Sequence, residues 1–200
     1  MRCYFFITAL ASQQFQPYLT SINFIKEKAM FLEAGLLTRR SVRQFEPNKI
    51  ISKQDMEDVL KIAMYAPSGC NKQPWEFVVV DDVRLKADIV NIHPHASFLK
   101  DASAAIVVCG DENKECDKGF WPVDCSAATE NLLLALHGRG LGGCWCAIYP
   151  YADRMKQFQD LLGLPANIKP LALIVAGYPS QAPAQPKNRF DESKVHHNTW

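Results

Sequence analysis

Short apolar runs constrain the fold of this chain more than any other feature. Phe77–Val80, Ala104–Cys109 and Leu171–Ala176 are too short for ordinary helices, and each is followed directly by aspartate or glycine. Runs of this kind are typical of strands that are buried on both faces of a sheet. Gly143–Ile148 has a similar length and predicts a further strand. The chain is therefore expected to contain a buried β-sheet.

Helical patterns alternate with these runs. Ser52 and Asp55 form a capping-box pattern at the start of an amphipathic helix that Pro67 ends. Its apolar face is predicted to comprise Met56, Val59, Leu60, Ala63 and Met64. Arg84–Ile92, Asp124–His137 and Asp153–Leu162 are the other predicted helices. Because helices and strands alternate, the pattern predicts an α/β or α+β sandwich.

Length and charge exclude several classes of protein. With 200 residues, 48% hydrophobic and 22% charged, the chain fits one globular domain with a single core. Its net charge is +1, and basic residues are interspersed with acidic ones. We therefore expect neither nucleic acid nor a membrane as a partner.

The seven cysteines are an odd number and contain no Cys-x-x-Cys pair. Their spacing to the histidines does not suit a zinc site, so no metal is predicted. Reduced thiols and a cytoplasmic location are expected, because disulfide frameworks belong to small secreted domains that lack a core. Cys144 and Cys146 share one face of the predicted strand. Cys146 could be a nucleophile, but no base lies beside it in the sequence, which favours a bystander.

Residues 1–30 form an extension whose composition suits neither the core nor a strong helix or strand. Arg2 precedes a short apolar stretch, which resembles a minimal secretory signal. We favour an extension of doubtful meaning from an upstream start over a signal, with Met30 as the natural start of the domain. We expect this extension to be dispensable, and we assign the domain itself to residues 31–200.

A set of motifs in fixed order resembles the nitroreductase family of flavin enzymes. The resemblance covers the chain from about Leu36 to the C-terminus. Its motifs are the basic run Arg39–Phe45, the turn and strand Ala66–Val80, the small-residue stretch Asp124–Ala135, the glycine-rich turn Gly140–Trp145, and the late segments Ala176–Pro179 and Lys187–Arg189. Each motif is degenerate, but their shared order is specific.

The resemblance implies a fold and a set of partners. It implies the nitroreductase-like mixed sheet flanked by helices, with an extended C-terminal arm that a proline-rich tail would form. It also implies a homodimer with FMN at the subunit interface, and NADH or NADPH as a transient hydride donor. No Gly-x-Gly-x-x-Gly follows a predicted strand, so a Rossmann nicotinamide domain is unsupported.

The resemblance also implies which residues bind the cofactor. Arg39 and Ser41 would hold the phosphate or ribityl groups, with Arg40 assisting and with Lys187 and Arg189 closing on the phosphate. Arg43 would approach the N1/O2 edge of the ring. The residues expected to contact the ring are Pro67, Ser68, Asn71, Trp145, Cys146 and Ala147. A main-chain N–H of Trp145, Cys146 or Ala147 would be directed at N5. No general acid is nominated, because hydride transfer depends on orientation more than on proton transfer.

The function implied is FMN-dependent oxidation of NAD(P)H, with a nitroaromatic, quinone or similar acceptor reduced in a ping-pong cycle. One alternative keeps the flavin and changes the chemistry to dehalogenation, azoline oxidation or flavin fragmentation. In that case the polar loop from Asp111 to Trp121 would encode the difference. Another alternative is a non-catalytic flavin-binding or thiol-binding module, which the seven cysteines suggest.

Overall fold

A computed structural model describes residues 32–184 and 187–200, so the predictions for residues 1–30 lie outside the described residues. The structure contains four strands and five helices in this described part of the chain. They are α1 (Leu32–Thr38), α2 (Lys53–Ala63), β1 (Trp75–Val80), α3 (Val83–Ile92), β2 (Ala104–Asp111), α4 (Trp121–Gly138), β3 (Gly142–Ala147), α5 (Ala152–Leu162) and β4 (Ile168–Gly177). Among these helices, none is long and apolar enough to cross a membrane.

The four strands form one sheet in the order β1-β2-β4-β3, and every pair of neighbours is antiparallel. A parallel bridge between Ser41 and Gly143 adds a short parallel contact at the outer edge of β3. The architecture is therefore the predicted α+β sandwich with a mixed sheet. After β4, Phe45 pairs with Pro179 in an antiparallel bridge, and the described residues of the C-terminal arm, 180–184 and 187–200, are exposed, with a 3₁₀ turn at Glu192–Lys194.

Helices cover both faces of the sheet. Alternate residues of β2 and β4 point to opposite faces, so Ile106 and Ile174 join one core cluster while Val107 and Val175 join the other. The first cluster includes buried residues of α2 and α4, and the second includes Ile89 of α3 and Phe158 of α5. The two central strands are almost fully buried, as the apolar runs predict.

The first strand does not fit its prediction. The expectation that Phe77–Val80 is buried on both faces is wrong, because β1 is an edge strand with β2 as its one neighbour. The Val79 side chain is 39% exposed, and Phe77 and Val78 are half-buried. An apolar run therefore predicts the strand here but not its place in the sheet.

The predicted cap of α2 is confirmed, since Ser52 Oγ accepts a hydrogen bond of 3.0 Å from the backbone N–H of Asp55. Met56, Val59 and Ala63 are buried as expected. Met64 is exposed instead, because the helix ends at Ala63 and Met64 is its C-cap.

The helix predicted to begin at Asp124 begins three residues earlier, at Trp121. Pro122 does not prevent this, because the first turn of a helix leaves its N–H groups without intrahelical partners and thus tolerates proline. The early start places Trp121 in the core at 4% exposure. The loop between β2 and α4 is correspondingly shorter than predicted and spans residues 112–120.

Candidate functional site

The basic run lies along the free edge of β3. Ser41 bridges to Gly143, and the backbone N–H of Val42 donates to the carbonyl of Gly143 at 3.0 Å. Gly142 permits this approach, since a Cβ added there would lie 2.7 Å from Val42 Cβ. Residues separated by about a hundred positions in the sequence therefore become neighbours at one edge of the sheet.

This approach brings Arg43 together with the predicted ring-binding residues of β3. Arg43, Trp145, Cys146 and Ala147 line one cavity of about 220 Å³. A second cavity, of about 280 Å³, is lined by residues 40–44 and by Gln181–Ala184 of the arm. Arg40 and Ser41 belong to the second cavity, and Arg43 belongs to both. Arg43 is therefore the residue that the two linings share.

The pairing of β3 decides which of its N–H groups are free. In an antiparallel pair, residues alternate between facing the neighbouring strand and facing away from it. Gly143 faces away from β4, because its carbonyl accepts from Val42. Since the register of β3 and β4 is regular, Trp145 and Ala147 also face away, whereas Cys146 faces β4. Trp145 and Ala147 therefore present main-chain donors at the free edge, and Cys146 does not.

Arg39 lies apart from this cavity lining and has an acidic partner. Its Nε lies 3.2 Å from Oε1 of Glu130 on α4, with the two side chains 22% and 45% exposed. Among the described residues, no other hydrogen bond from the Arg39 guanidinium is seen. Beside this pair, the hydroxyl of Thr38 and Nε2 of His137 lie 2.8 Å apart. Burial and the Arg39 charge lower the pKa of His137.

The loop with Pro67, Ser68 and Asn71 lies far from β3. It leads into β1, and three inter-strand spacings of about 4.8 Å each separate β1 from β3, roughly 14 Å in all. The Gly69 N–H donates to Oδ1 of the buried Asp124 at 2.9 Å, which fixes the loop on α4. Within a single chain, the loop with Pro67, Ser68 and Asn71 therefore does not reach the part of the predicted site that Arg43 and β3 form.

Local bonds hold the loop in an unusual conformation. Ser68 Oγ accepts from the Gln73 N–H at 3.0 Å, and Asn71 Oδ1 accepts from the Gln73 side chain at 2.9 Å. Cys70 and Asn71 both have positive φ, at 50° and 53°, which side-chain-bearing residues adopt rarely. Asn71 is exposed, and no hydrogen bond from its side-chain NH₂ is seen among the described residues.

The arm places the last two predicted residues at the surface. Lys187 and Arg189 are exposed and make no hydrogen bond or ion pair with residues that the structure describes. They lie beyond Ala184, the last arm residue that lines the second cavity. The structure thus leaves both side chains free, and it does not bring them to the cavity.

Besides Cys144 of β3, four residues of the 220 Å³ cavity are not anticipated as site residues by the sequence reasoning: His93, His95, Tyr151 and Arg154. They come from the turn after α3 and from the start of α5, on the sheet face opposite α4. No motif marks them, because the cavity forms only when these turns meet the end of β3. Their presence makes the cavity rich in hydrogen-bond donors.

Cys144 and Cys146 share one buried face of β3, as predicted. The Cys146 Sγ donates a hydrogen bond to the carbonyl of His95 at 3.7 Å, and the Cys144 Sγ donates to the carbonyl of Trp145 at 4.0 Å. The neighbouring Cys144 thiol and burial raise the pKa of Cys146. The Cys146 thiol therefore keeps its proton, which favours the bystander reading over a nucleophile.

Two other cysteines contradict the expectation that all thiols are reduced. Cys70 and Cys116 form a disulfide with their Cα atoms 5.8 Å apart, within the usual range. The link joins the Pro67–Asn71 loop to the loop before α4. Sequence reasoning misses it because 46 residues separate the two cysteines and only the fold brings their loops together.

We expect alkylation without reductant to leave Cys70 and Cys116 unmodified in oxidised protein, because both are bonded. Peptide mass spectrometry should recover the two as one cross-linked peptide. The Cys70→Ser variant is the matched test, since it should release Cys116 for alkylation while the buried Cys109 and Cys125 stay protected in the folded chain. Equal labelling of Cys116 in the two proteins would show that the link does not form.

Comparisons with known proteins point to one family. The family model for the nitroreductase family matches residues 36–97 and 93–178. A protein of Methanothermobacter thermautotrophicus, provisionally named NADH dehydrogenase/NAD(P)H nitroreductase, is 37% identical over 175 residues, which cover 88% of this chain and 91% of the relative.

Two further relatives bear on fold and chemistry. The solved structure of an FMN-dependent nitroreductase from Clostridium difficile is 29% identical, with a TM-score of 0.77, and the match covers 84% of this chain and all of that one. An iodotyrosine deiodinase of Haliscomenobacter hydrossis is 30% identical over 190 residues, covering 78% of this chain and 83% of the relative. The predicted fold is thereby confirmed.

Proposed function

The chain belongs to the nitroreductase family of oxidoreductases, and we propose that it is an FMN-dependent enzyme that oxidises NADH or NADPH and reduces a nitroaromatic, quinone or similar acceptor. The observation that carries this proposal is the position of Arg43. It lines one cavity together with the β3 edge that presents main-chain donors, and it also lines the adjoining cavity with Arg40 and Ser41.

The donor set of these cavities suits FMN. A flavin mononucleotide needs cations for its phosphate and for the ring edge that becomes anionic on reduction. Arg39 and Ser41 would hold the phosphate or ribityl end, with Arg40, Lys187 and Arg189 contributing charge. Arg43 would hold the N1/O2 edge, and the Trp145 or Ala147 N–H would face N5. When bound, FMN supplies the hydride acceptor and donor of a ping-pong cycle.

We further propose a homodimer whose two chains complete each site. The Pro67–Asn71 loop and the β3 edge lie at opposite edges of one sheet, so a second copy is the natural source of the missing half. Apolar side chains are available for such an interface. Leu36 and Leu37 of α1 are 53% and 62% exposed, and Tyr65, just after α2, is 81% exposed. A cytoplasmic location remains a prediction.

Steady-state kinetics test the proposed cycle. Rates measured at several concentrations of nicotinamide and acceptor should give parallel double-reciprocal lines, because the oxidised nicotinamide leaves before the acceptor enters. Sedimentation of the FMN-loaded protein should show a species of twice the chain mass. Intersecting lines would exclude the ping-pong order, and an FMN-loaded monomer would exclude the shared site.

The deiodinase relative favours one second candidate, a flavin enzyme of the same fold that removes halogen from an aromatic substrate. The loop at residues 112–120, tied to the Pro67–Asn71 loop through Cys116, would then contribute to substrate choice. Halide release from a halotyrosine, measured with chemically reduced protein, tests this candidate. Fast halide release together with slow reduction by both nicotinamides would favour it over the main proposal.

A further inference from the structure

The carbonyl of Ala147, the last residue of β3, accepts two hydrogen bonds from outside the sheet. His93 Nε2 lies 3.1 Å from this oxygen, and Arg154 Nη1 lies 2.6 Å from it. His93 directly follows α3, and Arg154 lies in the first turn of α5. A carbonyl at the edge of a sheet can accept its hydrogen bonds from water. The Ala147 carbonyl therefore does not need two protein donors in order to be satisfied.

The hydrogen-bond partners of His93 fix its tautomer. Its Nδ1 accepts from the backbone N–H of His95 at 3.3 Å, and a main-chain N–H can only donate. The ring proton must then sit on Nε2, where it is donated to the Ala147 carbonyl. The ring is 1% exposed and packs edge-on against Phe158, and burial lowers the pKa of His93. The neutral, donating form is therefore held in place.

Arg154 strengthens the same contact with a charge. Its guanidinium lies over the Tyr151 ring, 4.5 Å from the centroid, and makes no ion pair with an acid in the described ranges. A hydrogen bond from an ionised donor is about twice as strong as a neutral one. Because Arg154 also lines the cavity that contains Arg43, its positive charge faces the same space.

These contacts act on the edge donors of the proposed flavin site. We propose that His93 and Arg154 are positioning residues, which hold the Ala147 carbonyl and thereby fix the direction of the Trp145 and Ala147 N–H groups at the free edge of β3. The inference rests on the proposed function, since those N–H groups matter only if they face a flavin. Neither side chain is assigned contact with the flavin itself.

The test compares variants that keep or remove the donor to Ala147. His93→Leu fills a similar volume without donors, whereas the amide of His93→Gln can donate to the same carbonyl. Arg154→Met keeps the apolar stem and removes the charge. Because Arg154 is only half-buried, this variant still tests the proposal if His93→Leu does not fold. Arg84→Met is the matched control, since Arg84 is exposed on α3 and lies outside both cavities.

Two measurements are made on each protein. The first is the rate at which NADH or NADPH reduces bound FMN without oxygen, beside the FMN Kd. We expect His93→Leu and Arg154→Met to slow reduction about tenfold, as small displacements of reacting groups do, with less change in Kd. His93→Gln should recover most of the wild-type rate, and Arg84→Met should keep it.

The second measurement needs no flavin. Amide hydrogen exchange over residues 145–149 should accelerate in His93→Leu and Arg154→Met, and not in His93→Gln or Arg84→Met. If His93→Leu and Arg154→Met both keep the wild-type rate of FMN reduction and the wild-type rate of exchange, the positioning role is overturned. The proposed flavin function would be unaffected by that result. If the wild-type chain binds no FMN, the proposed function fails, and the positioning role fails with it. This holds even if faster exchange in the donor-free variants shows that the contacts to Ala147 stabilise the strand.

Discussion

Replacing Arg39 with alanine should weaken FMN binding by about one to two decades. A hydrogen bond to a charged group contributes about 1.5–3 kcal/mol, which corresponds to this range in Kd. FMN that remains bound should be reduced by NAD(P)H at the normal rate, because Arg39 lies away from the cavity that Arg43 shares with β3. Titration of FMN by fluorescence quenching, followed by anaerobic reduction, measures both quantities.

Arg43→Ala should give the opposite pattern. Removing the cation from the ring edge should lower the flavin potential and slow reduction about tenfold or more, whereas affinity falls less. Glu130→Gln is the control for Arg39, because it removes the ion pair and keeps the arginine. If Glu130→Gln weakened FMN binding as much as Arg39→Ala, the ion pair rather than a phosphate contact would be the role of Arg39. Equal affinity losses with unchanged potential would refute the assignment of Arg43 to the ring.

Gly142→Ala should both destabilise the fold and weaken FMN binding. The added Cβ would lie 2.7 Å from Val42 Cβ and 2.8 Å from Val42 Cγ1, so the basic run must move away from β3. Overpacking of this kind costs about 1–3 kcal/mol. For a chain of this size, about 2 kcal/mol lowers Tm by roughly 4–8 °C. Because Arg43 follows Val42, the FMN Kd should rise in the same variant.

Gly138→Ala is the matched control for this substitution. Gly138 ends α4, and a Cβ there meets nothing within 4 Å. Replacing a helical glycine with alanine stabilises by about 0.5–1 kcal/mol, so Tm should hold or rise. Thermal unfolding and FMN titration of both variants check the prediction. A Gly142→Ala protein that behaved like Gly138→Ala would show that the basic run does not depend on this close approach.

The sequence predicts the elements of this fold well because their patterns are local. The capping box at Ser52 and the apolar runs of β2 and β4 depend on neighbouring residues alone. The edge position of β1 is missed, because the order of strands depends on contacts that an apolar run does not encode. The start of α4 at Trp121 is missed for a different reason. Proline inside a helix usually breaks it, but the first turn of α4 accepts Pro122.

The candidate site is only partly predictable from sequence. Arg43 and Trp145–Ala147 are found through motifs, and the structure brings them to one cavity. His93 and Arg154 carry no motif, since their role arises where three chain segments meet at the end of β3. The Cys70–Cys116 link likewise depends on two loops meeting in space. Motifs therefore indicate the cavity residues of the basic run and of β3, whereas His93 and Arg154 emerge only from the fold.

The absorption spectrum of the purified protein under anaerobic conditions tests the central claim most directly. The protein, supplied with FMN and freed of excess by gel filtration, should retain an oxidised-flavin spectrum. Adding NADH or NADPH should bleach this spectrum, and a quinone or nitroaromatic added afterwards should restore it. A protein that cannot retain FMN, or whose flavin stays oxidised with both nicotinamides, would contradict the proposal that this chain is an FMN-dependent NAD(P)H oxidoreductase.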